Sequence, residues 1–244
     1  MTEALNRVYQ GIDEEYAHES AATRRKFVAG AAGLIGSAGL LSLPKKAMAA
    51  NDAQTILNIA ATAEVLATIV NTVGPEKLGR RLDFTTRRNI LAAADQELTH
   101  YNVLKSIGAK ELTKRIWVPN AVFASKRGLL NALVVGDGVF VNAYLIGVTA
   151  FASGGKATEA RYAAEFMGVE SVHRALALQS LRRPGNDLVF AEYKFTRIER
   201  APAILQAAGF GFGARGSKPG QFYDFDVVRR RTRRQSFVTS RTPR

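Results

Sequence analysis

The chain has 244 residues, a formal net charge of +13 and no cysteine. That length supports one good-sized core or a domain with extensions. The absence of thiols excludes a disulfide frame, a thiolate metal site and a cysteine nucleophile.

The first element in chain order is an address. Thr23-Arg24-Arg25-Lys26-Phe27-Val28 leads into the apolar stretch "VAGAAGLIGSAGLLSL", followed by Pro44, Lys45, Lys46 and Ala47-Met48-Ala49. Basic residues, a short apolar run and an A-x-A end make a secretory signal. The arginine pair with its Lys-Phe resembles the twin-arginine export signal, and the two lysines near the cleavage site fit that route. The resemblance implies export of a folded chain, loaded with any cofactor beforehand, to the periplasm or another extracytoplasmic site. The apolar run is short for a membrane span; an uncleaved anchor is the alternative. Residues 1–49 are therefore set apart from the fold.

Four long helices follow. The first is expected from about Ala53 to Val73 and the second from about Thr85 to Ile107, with Gly108 as a stop. The third covers about Lys126 to Ala152 and the fourth about Ala157 to Leu181. Alanine and leucine dominate, and strand-like alternation is absent. Short links join the first helix to the second and the third to the fourth. About 18 residues, with Trp117-Val118-Pro119, connect the two pairs. Two hairpins with one long crossover describe the ferritin-like form of the four-helix bundle. The expected fold is therefore all-α, with the bundle over 50–183. The third helix is apolar enough to resemble a membrane span, but lipid would penalise its Asn131, Asp137 and Asn142. A buried helix accounts for it better.

After Pro184 the pattern breaks up. Residues 184–226 read as an irregular extension packed on the bundle. From Val227 to Arg244 there are seven arginines and no acid. That block reads as a disordered basic tail. Its functional reading is attachment to an anionic envelope surface; no nucleic-acid fold signature accompanies it.

The acids and histidines carry the chemistry. Only two histidines lie beyond residue 49, and each follows a glutamate by three: Glu97 and His100 in "QELTHYN", Glu170 and His173 in "VESVHRA". On a helix that spacing puts both side chains on one face. The other two helices hold isolated acids. Glu64 is the only charged residue between Asp52 and Glu76, and Asp137 the only one between Arg127 and Lys156. A lone buried carboxylate is expensive unless something compensates it, and a metal ion would. The spacings agree as well: 97 − 64 and 170 − 137 are both 33, while 137 − 64, 170 − 97 and 173 − 100 are all 73. A core acid on two helices and Glu-x-x-His on the other two is the ligand set of dinuclear carboxylate bundles. Carboxylate and imidazole donors suit iron or manganese.

These residues, within "AEVLATIV", "DQELTHYNVL", "GDGVFVNAYLIG" and "VESVHRALAL", resemble the bacterial ferritin-like proteins related to plant desiccation-related proteins. The resemblance covers about Ala53 to Leu181, and "FAEY…AGFGFG…GQFYDF" looks like that family's C-terminal extension. It implies a dinuclear iron or manganese site on Glu64, Glu97, His100, Asp137, Glu170 and His173, with oxidation or stress protection as the activity. That family usually has a glutamate where Asp137 stands, one methylene longer. Two alternatives stay open: a metal-free bundle with Glu64 and Asp137 paired inside, and a non-catalytic envelope scaffold attached by its arginines. Tyr101, Tyr144 and Asn142 read as core residues.

Overall fold

The protein's structure, a computed structural model, describes residues 51–191 and 194–239. The export signal expected over 1–49 lies outside them. Helix α1, Ala53–Leu78, begins where Asp52 accepts hydrogen bonds from the amides of Gln54 and Thr55, which satisfies two donors the first turn leaves open. It continues past the expected stop at Val73, carries Pro75 in its last turns and ends at Gly79, whose φ is +53°. A Cβ at Gly74 would sit 2.6 Å from Leu129 Cδ2, so the Leu129 side chain would have to shift to admit one. Helix α2, Phe84–Ser106, is capped by Asp83, which accepts from the Thr86 amide and pairs with Lys126 at 2.6 Å.

The connection that follows contains strand β1, Arg115–Pro119, and a short helix α3, Asn120–Ala124. Ser125 then caps α4, Lys126–Ser153, and α5 spans Ala157–Ser180. Helix α1 packs along α2 and α4 along α5, giving two helical hairpins. They meet through α1 against α4 and α2 against α5. Helices α1 and α4 are long and apolar enough to cross a membrane, yet both are mostly buried against the protein itself, as core helices are.

The all-α expectation needs correction. The chain is mostly helical, but the segment expected to be irregular adds helix α6, Arg200–Ala207, strands β2, Gly211–Phe212, and β3, Gly220–Asp224, and helix α7, Phe225–Arg229. Both strands pair antiparallel with β1 in the order β2-β1-β3, matching Ile116 to Phe212 and Trp117 to Phe222. Strands this short carry too little alternation to read, and their partners lie about a hundred residues away in sequence.

The basic segment also differs from its expectation. Rather than a disordered tail, residues 227–239 lie against α1 and α2. Phe225 and Val228 are buried in the core, and Phe225 packs on Tyr101 with ring centroids 4.6 Å apart. Beyond them Arg231 pairs with Glu76 at 2.8 Å and the hydroxyls of Thr232 and Thr72 lie 2.8 Å apart. The Gln235 amide donates to Asp95 at 2.7 Å, and Arg88 sits over the Phe237 ring. Full burial of a phenylalanine stabilises by about 1.5–3 kcal/mol, enough to hold the chain that the acids of α1 and α2 then tether.

Candidate metal centre

Each of the four long helices contributes to one buried cluster. Glu64 comes from α1, Glu97 and His100 from α2, Asp137 from α4, and Glu170 and His173 from α5. Glu64, Glu97 and Glu170 are 0% exposed, Asp137 2%, His100 6% and His173 8%. Ligand atoms of Glu64, Glu97, His100 and Glu170 all lie within 4.8 Å of one another, so this group can hold a metal ion.

The carboxylate oxygens are shared between the two histidines. His100 Nδ1 lies 3.6 Å from Glu97 Oε2 and 3.6 Å from Glu170 Oε1, with Glu64 Oε1 at 3.7 Å. His173 Nδ1 lies 3.2 Å from Glu97 Oε1 and 3.4 Å from Glu170 Oε2. Glu97 and Glu170 therefore each turn one oxygen towards each imidazole. Neither Asp137 nor His173 is among those four residues; the two line a cleft together.

Most of these contacts lack hydrogen-bond geometry. Glu64 Oε2, both oxygens of Glu97, His100 Nδ1, Asp137 Oδ2 and Glu170 Oε1 are buried without a hydrogen-bond partner among the described residues. Leaving a charged group buried and unsatisfied is strongly destabilising, and a cation is one partner that such a group can hold. The second histidine is also oriented for this. Its Nε2 lies 2.8 Å from Gln96 Oε1. An amide oxygen only accepts, so Nε2 carries the proton and Nδ1 is the atom that meets the carboxylates.

Without a cation, the cluster's protons take up the charge. Burial pushes the Glu64 carboxyl well above its ordinary range, and the Glu97 carboxylate adds to this. Burial likewise raises Asp137, helped by Glu170. Burial alone would lower both histidines. The carboxylates around them outweigh it and hold both well above the ordinary imidazole value. Burial pushes Glu97 upward, but the charge of the neighbouring His173 and His100 imidazoles outweighs it and holds Glu97 below the ordinary carboxylate range.

Two contributors were not legible as such in the sequence. Tyr144, expected as core packing, donates its hydroxyl proton to Glu64 Oε1. Gln96 orients His173. The available signal was positional: Tyr144 lies seven residues after Asp137, on the same helix face, and Gln96 adjoins Glu97. Asn142 is the satisfied core residue expected of it, donating to the Phe195 carbonyl at 2.9 Å and accepting from the Phe195 amide at 3.2 Å. Comparison of the chain with protein-family models, with curated proteins and with solved structures finds no match.

Proposed function

We propose that the chain is an exported ferritin-like four-helix bundle protein whose six ligands hold a dinuclear iron or manganese centre. The observation that carries this reading is the shared orientation of Glu97 and Glu170, each with one oxygen towards His100 and the other towards His173. Glu64 and His100 would hold one ion together with Glu97 and Glu170, and Asp137 and His173 would hold the other with the same two carboxylates. Four carboxylates with two neutral imidazoles balance the charge of two divalent cations, which explains how such a cluster can be buried. A centre of this kind supplies chemistry with oxygen or peroxide, consistent with oxidation or stress protection in the cell envelope. The resemblance to desiccation-related proteins supports the same reading. Twin-arginine export fits a protein loaded before it leaves the cytoplasm, and lysine at both Arg24 and Arg25 should keep the chain inside the cell.

The test is elemental analysis of full-length protein folded with iron or manganese. Two metal equivalents per chain are expected, and protein that stays metal-free contradicts the reading. One observation favours a second reading, that of an envelope scaffold. The exposed Arg80, Arg87, Arg88, Arg230, Arg233 and Arg234 come from segments that contact one another at the end of the first hairpin, and such a surface attracts anionic lipid or polymer. Metal-free protein that sediments with anionic vesicles would select it.

A further inference from the structure

The two halves of the cluster follow one repeat but are walled differently. The 73-residue offset that relates the ligands also relates Asn71 to Tyr144, Asn89 to Tyr162 and Ala93 to Phe166. In the Glu64–His100 half these positions are aromatic. Tyr144 bonds Glu64, Phe166 stacks on His100 with centroids 4.2 Å apart, and Tyr162 stacks on Phe166 at 6.4 Å. In the Asp137–His173 half, Asn71, Asn89 and Ala93 line a cleft together with Asp137 and His173. Its volume of about 20 Å³ leaves room for a small ligand. Asn71 is 1% exposed, and its Oδ1 has no hydrogen-bond partner among the described residues; the same holds for Asp137 Oδ2. Each such orphan costs free energy that a hydrogen-bonding ligand would recover.

We infer that this cleft is the entry and docking site for a small exogenous ligand of the peroxide or azide class, with Asn71 as its hydrogen-bonding partner. The inference rests on the metal-centre reading and assigns the open side to the Asp137–His173 position. An amide can accept from a peroxide O–H through Oδ1 or donate to an anion through Nδ2, so one residue serves both ligands.

The test uses full-length protein loaded with cobalt(II) and titrated with azide, read by visible absorption. Wild type should show a saturable spectral change. Ala93→Phe, which installs the aromatic residue of the other half, should retain its cobalt and weaken azide binding by at least about tenfold. Asn71→Leu keeps nearly the same volume, guards against misfolding of the first variant, and should weaken azide by roughly five- to tenfold through one lost hydrogen bond. Azide binding of wild-type strength in Ala93→Phe or Asn71→Leu overturns the inference while leaving the metal centre standing. Wild-type protein that binds no cobalt overturns the metal reading itself, and this inference with it.

Discussion

Glu97→Ala is expected to strip both metals from the chain, not one. Glu97 faces His100 through Oε2 at 3.6 Å and His173 through Oε1 at 3.2 Å, so its loss removes a donor from each position and a negative charge from between them. Removing a residue that merely orients a ligand costs 10–100-fold in metal affinity. Loss of a shared ligand should cost at least about 100-fold at both positions. Glu64→Ala should instead weaken chiefly the His100 position, because Glu64 approaches only that histidine among the two. Elemental analysis of the two variants beside wild type checks this. One metal retained at wild-type affinity in Glu97→Ala would remove Glu97 as a bridge.

The second large effect is on pH dependence, which should change sign with metal. Glu64, Asp137, His100 and His173 all have folded pKa values raised above their ordinary ones. Stability from a raised group is full below its unfolded pKa and is lost as pH rises through the folded one. For the two acids that loss begins above the ordinary carboxylate range, and for the histidines above about 6.5. Glu97, which is lowered, works in the opposite sense at acid pH. Metal-free protein should therefore melt at lower temperature at pH 8 than at pH 6. Metal binding requires those same protons to leave, so affinity should rise roughly tenfold per pH unit for each proton released. Thermal melts with and without manganese(II) at the two pH values check both halves. A manganese-induced gain in melting temperature that shrinks from pH 6 to pH 8 would contradict the linkage.

What could be read from sequence was set by local spacing. Glu97 and His100, and Glu170 and His173, sit three apart on long helices, and helical geometry alone puts each pair on one face. Glu64 and Asp137 stood out because no other charged residue lies between Asp52 and Glu76 or between Arg127 and Lys156. Non-local contacts could not be read. The pairing of Ile116 with Phe212 joins two short segments with no periodic pattern. The anchoring of the arginine-rich segment depends on Phe225, Asp95 and Glu76, and a charge count weighs none of these. The aromatic wall of one half was present in the 73-residue offset. Tyr144 and Asn71, or Phe166 and Ala93, become meaningful as pairs only once the folded chain puts each beside a ligand.

The central claim is that Glu97 and Glu170 share two metals. Crystals of manganese- or iron-loaded full-length protein, measured at the absorption edge of the bound metal, test it most directly. Two anomalous peaks are expected between Glu97 and Glu170, one on the His100 side and one on the His173 side, with ligand bonds of about 2.0–2.3 Å. No peak at the cluster, or a single peak with one histidine turned away from it, would contradict the dinuclear centre.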